Sequence, residues 1–177
     1  MSQRPFAAFL RGISPMNAKM SELRAAFEAA GFSDVKSVLG SGNLVFRTSS
    51  KSETVVERKA EAAMREMLGQ SFLTIVRRIE SLADLIEGDP FAAFRLRAGS
   101  KRIVSFLRSA PIETPRLPIE KDGARIVSLV GSDVFSAYVP SPRGPVFMSL
   151  IEKTFGTEIT TRTWETVKKV VAASQRG

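Results

Sequence analysis

The chain has 177 residues, 44% hydrophobic and 25% charged, which suits one folded domain or two small units and excludes a disordered or collagen-like chain. It has no Cys and no His, which excludes disulfides, thiolate nucleophiles, Cys- or His-ligated metals and imidazole bases, a Ser-His-Asp triad included. The net charge of +8 is uneven, with 12 Lys and Arg against 10 Asp and Glu in residues 1–88 and 14 against 8 in residues 89–177. Such a field favours anionic partners, and solubility alone also accounts for it.

No apolar run approaches the ~20 residues that span a bilayer. The apolar stretch Phe6–Leu10 is shorter than the ~7–15 residues of a signal-peptide core, so a cytoplasmic location without a membrane partner is expected.

Phe6–Arg11 reads as a strand, followed by a loop with Gly12, Pro15 and Asn17. Met20, Leu23, Phe27 and Ala30 fall at helical spacing, and Gly31 suits a left-handed stop. Val35–Leu39 and Leu44–Thr48 flank Gly40-Ser41-Gly42-Asn43, the signature of a hairpin. Ser50-Lys51-Ser52-Glu53 has the form of a capping box opening a helix that ends at Gly69, and Phe72–Arg78 returns to a strand. The order βαββαβ is the split βαβ, or ferredoxin-like, arrangement.

A short helix at Ser81–Glu87 stops at Gly88-Asp89-Pro90. Arg102–Arg108 reads as a strand, and Pro111, Pro115 and Pro118 then preclude a regular helix. Arg125–Val130 and Val134–Val139 form a second hairpin around Gly131-Ser132-Asp133. A helix over Pro145–Phe155 ends at Gly156, and a last helix carries Trp164, Val167, Val170 and Val171 on one side. This half repeats the first without its closing strand. The expected fold class is therefore α+β: a ferredoxin-like subdomain over residues 1–80, then a related one with a terminal helix over residues 81–177, both in one compact unit.

Thr160-Thr161-Arg162-Thr163-Trp164 falls at the start of that last helix, where unpaired N–H groups and partial positive charge bind anions. Arg162 would grip a phosphate or carboxylate, with Thr160 and Thr161 orienting it. An ordinary Thr cap with Trp164 in the core is the plainer alternative. Pro140-Ser141-Pro142-Arg143-Gly144-Pro145 is a rigid turn that adds Arg143 to the pocket if the two segments meet. Arg11-Gly12 and Ser41-Gly42-Asn43 lie at strand ends, a common place for ligand contacts and equally for turn chemistry.

Both faces of the first strand are largely apolar, so the second half, a partner or a nucleic acid must cover one of them. The basic βαββαβ order invites comparison with the RNA-recognition fold, but Ser41–Phe46 lacks that fold's aromatic pair. There is no phosphate-binding Gly-rich motif. No carboxylate cluster suggests a metal, and Glu120 and Asp122 sit in a Pro-flanked, solvated stretch.

Phe9-Leu10-Arg11-Gly12-Ile13, Met20-Ser21-Glu22-Leu23-Arg24, Gly31-Phe32-Ser33-Asp34-Val35, Leu39–Phe46 and Thr160–Val167 occur in this order. Together they resemble the bacterial domain-of-unknown-function family 1697 over essentially the whole chain. The resemblance implies a cytoplasmic α+β protein of ferredoxin-like subdomains and implies no activity. Many members carry an Asn-Val-Gly-Gly loop where this chain has Ser14–Lys19, and an Asn where it has Thr163.

The leading expectation is a non-enzymatic module binding a phosphate-bearing ligand, nucleic acid first, through Arg162, Thr160, Thr161, Arg143, Arg11 and Asn43. An enzyme for a small phosphorylated or carboxylated substrate is the alternative, with a Lys, Tyr138 or a carboxylate as base. A structural or partner-binding protein is the third. No cofactor or metal is called for, and no oligomeric state is specified.

Overall fold

The computed structural model describes residues 2–140 and 146–176. In chain order the elements are β1 (Arg4–Leu10), α1 (Met20–Ala29), β2 (Ser33–Val38), β3 (Asn43–Thr48), α2 (Glu53–Leu68), β4 (Thr74–Arg78) and α3 (Ile79–Gly88). There follow β5 (Lys101–Leu107), β6 (Ile119–Lys121), β7 (Ala124–Val130), β8 (Asp133–Tyr138), α4 (Val146–Phe155), β9 (Ile159–Thr163) and α5 (Trp164–Gln175). The class is mixed α+β, with two antiparallel sheets. Met1–Leu85 with Thr166–Gly177 form one compact unit and Ile86–Glu165 the other. The expected boundary after residue 80 thus moves into α3, and the end of the chain belongs to the first unit. There Lys36 Nζ donates to the Arg176 carbonyl at 2.8 Å, which ties the chain end to β2.

In the first unit the predicted βαββαβ order is present, and the sheet runs β2-β3-β1-β4. Phe6, Ala8 and Leu10 of β1 share a core with Leu44 and Phe46 of β3, Val76 of β4, and Leu23, Phe27, Val56, Ala60 and Met64 of the two helices. Phe46 is its aromatic centre, with ring centroids 4.7 Å from Phe32, 5.4 Å from Phe27 and 6.0 Å from Phe6. The opposite face, with Ala7, Phe9, Val45 and Ile75, is also buried. It offers no open platform for stacking bases.

The expected capping box is corrected. Ser52 caps α2 by accepting from Val55 N, while Glu53 reaches across to accept from Arg78 N at 3.0 Å. Glu57 accepts from Val76 N at 2.9 Å and Glu61 from Thr74 N at 3.0 Å. Spacing of four residues puts all three carboxylates on one side of α2, where they satisfy the free edge of β4.

The second sheet runs β6-β7-β8-β5-β9. Apart from β6, its antiparallel pairings repeat those of the first: β5 joins β8 and β9, and β7 joins β8. A closing strand, absent from the expectation, is therefore present as β9. α4 covers one face, packing Phe147, Leu150 and Ile151 on Ile103, Leu107, Ile126, Val134 and Ile159. Where the first unit has α1, this one has an irregular run ending in β6, whose Ile119 packs against the same core with Leu117. Trp164 is buried, its ring 5.5 Å from Phe91 and 5.9 Å from Phe135.

Candidate functional site

The residues expected to open the last helix stand elsewhere. Thr160, Thr161 and Arg162 are paired with Phe106, Ser105 and Val104 inside β9, and α5 begins only at Trp164. They therefore present a strand, not a helix N-terminus. Alternation sends Thr161 to the α4 side, where its hydroxyl is 3.0 Å from Ser105 Oγ, and sends Thr160 and Arg162 to the other side. Thr160 is buried, and its hydroxyl has no hydrogen-bond partner among the described residues. Arg162 Nη1 donates to the Thr161 carbonyl at 2.9 Å, and burial pushes its guanidinium down to about 10. It stays protonated at neutral pH.

Arg143 lies outside the described residues. Arg11 and Asn43 lie at the same end of the first unit's sheet, where Asn43 pairs with Phe9. Leu10 N donates to the Gly42 carbonyl and Arg11 N to the Leu73 carbonyl, both at 2.9 Å. Asn43 is wholly buried, and its amide donates to the Val38 carbonyl at 3.1 Å, closing the hairpin. Gly42 has φ +86°, and a Cβ there would sit 3.0 Å from Ile13 Cγ1 and 3.1 Å from the Leu10 carbonyl oxygen. Turn chemistry accounts for Asn43 and Gly42.

A different cluster forms in the second unit. Asp122 at φ +47° and Gly123 at φ +86° make the two-residue turn between β6 and β7. Beside it is a concavity of about 210 Å³, bordered by the 95–100 segment and by Ala137 and Val139 at the end of β8. Gly123 takes part in its floor, accepting from Val139 N at 3.1 Å.

Four cations line this concavity, Arg95, Arg97, Lys121 and Arg125, with two carboxylates, Glu120 and Asp122. Arg125 is the fixed one. Its Nη1 donates to the Arg95 carbonyl at 3.0 Å, its guanidinium lies 5.8 Å over the Phe94 ring, and its Nε is 3.8 Å from Glu120 Oε1. That Nε is buried without a hydrogen-bond partner among the described residues. Arg95, Arg97 and Lys121 are exposed, and among the described residues no carboxylate pairs with them. Unpaired cations around one anchored guanidinium are suited to an anion. Among the described residues no group of three or more Asp or Glu could hold a metal ion, and no helix is long and apolar enough to cross a membrane.

None of these four cations was a candidate from sequence. Asp122-Gly123 is a local signal only for the tight turn that folds β6 onto β7 and sets Glu120 opposite Arg125, and it carries nothing about Arg95 or Arg97.

The two antiparallel sheets and their helices define a two-unit α+β protein. Its family is DUF1697, a protein of unknown function: residues 4–135 match the family, and the chain belongs to it. Among solved structures, the conserved bacterial protein SP0830 from Streptococcus pneumoniae is similar at 20% identity. The match covers 99% of this chain and 100% of that one, with a TM-score of 0.70, and carries the fold alone. No curated protein matches the chain.

Proposed function

We infer that this protein is an anion-binding module built on two ferredoxin-like subdomains, and that its ligand carries phosphate. The single observation that supports the reading is the concavity where Arg95, Arg97 and Lys121, all unpaired among the described residues, surround the anchored Arg125. The roles are electrostatic: Arg125 presents a preset guanidinium, and the three exposed cations close on the ligand. This moves the site away from Thr160–Arg162, whose residues are placed within a sheet, and away from Asn43, which its hairpin employs.

Calorimetric titration of the full chain with inorganic pyrophosphate at low ionic strength tests the reading. Saturable binding is expected, weakened at least tenfold by Arg125→Gln. No binding, or binding indifferent to that substitution, would overturn it.

A further inference from the structure

We propose that this concavity is built for a small phosphate monoester dianion and selects against a nucleic-acid backbone. The inference rests on the anion-binding reading above and specifies its ligand.

Charge is the first argument. Four cations against two carboxylates leave two positive charges uncompensated. A phosphate monoester carries about −1.5 to −2 at neutral pH, which balances that excess. A sulfate ester of the same shape carries one charge and leaves half of it standing.

Size is the second. The concavity holds about 210 Å³, below the ~300–1,000 Å³ of sites that enclose drug-sized ligands. It suits a phosphoryl group with a few attached atoms.

The third is the placing of the carboxylates. Glu120 and Asp122 flank Lys121 at the β6–β7 turn, and all three are exposed. Glu120 Oε1 lies 3.8 Å from Arg125 Nε, an ion pair without a hydrogen bond. Both carboxylates line the concavity, so once one phosphoryl group has matched its two excess positive charges, the further phosphates of a continuous chain meet Glu120 and Asp122 with no excess cation left to offset them. Like charges set against a wrong partner are a recognised source of specificity.

The test uses phenyl phosphate, phenyl sulfate and a twelve-nucleotide single-stranded DNA as probes of the full chain, by calorimetry at 50 and 150 mM salt. Phenyl phosphate is expected to bind at least fivefold tighter than phenyl sulfate, and to weaken severalfold from pH 7.5 to 5.5 as its second proton returns. The oligonucleotide is expected to bind no tighter than phenyl phosphate at the higher salt. The double substitution Glu120→Gln, Asp122→Asn should strengthen oligonucleotide binding more than monoester binding. Equal affinity for the two phenyl esters, or a tighter and steeply salt-dependent oligonucleotide, overturns this proposal and leaves the anion-binding reading intact. If no probe binds, both fall.

Discussion

Removing the Glu57 carboxylate is the sharpest test of how the first unit keeps its edge strand in place. β4 is last in the order β2-β3-β1-β4, so the N–H groups of Thr74, Val76 and Arg78 find their acceptors on Glu61, Glu57 and Glu53 of α2. The middle bond is the most enclosed, with Glu57 2% exposed and Val76 0%. In Glu57→Ala the Val76 N–H loses this acceptor at a place where water does not reach. A hydrogen bond to a charged group contributes ~1.5–3 kcal/mol, and an orphaned buried N–H costs ~1–3 kcal/mol. These describe one loss from two sides, so ~2–3 kcal/mol is expected for the pair rather than their sum. At ~2–4 °C per kcal/mol for a chain of this size, the midpoint should fall by ~4–12 °C. Glu57→Gln keeps an acceptor oxygen without the charge and should lose roughly half as much. Urea unfolding followed by far-UV circular dichroism measures the stability, and hydrogen exchange at the Val76 amide localises the effect. A Glu57→Ala protein within ~0.5 kcal/mol of wild type, the range of an inert surface change, would refute the reasoning.

Gly42→Ala should destabilise by ~2–4 kcal/mol, because the left-handed backbone and the 3.0 Å approach to Ile13 Cγ1 act together. Gly40→Ala, at φ +65° with no atom of the described residues beyond its chain neighbours within 4 Å of the added Cβ, should cost only ~1–2 kcal/mol, so equal losses in chemical denaturation would remove the steric part of the argument. For Arg162, lowered to about 10 by burial, folded and unfolded states are both protonated between pH 6 and 9. Its contribution to stability is then flat in that window. Above pH 10 the unfolded state holds the extra proton, and stability shifts in favour of the wild type. The stability difference between wild type and Arg162→Met should therefore be constant from pH 6 to 9 by urea unfolding, and a slope there would show that the guanidinium is coupled to a titrating neighbour.

The elements legible in the sequence are those where period and punctuation agree. Met20, Leu23 and Phe27 before Gly31 marked α1, and the glycine-rich tetrad between two apolar runs marked the β2–β3 hairpin. Missed elements had one signal without the other. β9 is Ile159-Thr160-Thr161-Arg162-Thr163, a β-branched run with a single aliphatic residue, and Thr beside a helix start also suits a cap. β6 has three residues and follows Pro118, too short for alternation to show. The shift of the capping residue from Ser50 to Ser52 has a tertiary cause: Glu53 serves β4 from across the unit, which no local pattern contains.

The candidate site was illegible for a topological reason. Arg95 and Arg97 precede β5, while Lys121 and Arg125 flank the turn of a later hairpin, so only the pairing of β6, β7 and β8 assembles them. That location coincides with the difference between the two units. Strands β7, β8, β5 and β9 repeat the order of β2, β3, β1 and β4. β6 has no counterpart in the first unit, and the Arg95–Ser100 segment is an irregular run outside the repeated strands. The anchored Arg125 belongs to the repeated framework, on β7, whereas Arg95, Arg97 and Lys121 are carried by these other pieces. Under the proposed function, recognition would sit on the pieces outside the repeated strands, the usual division between framework and loop. It also explains why the residues most prominent in sequence, at the glycine-rich hairpin and the Thr-rich strand, were spent on turn and sheet.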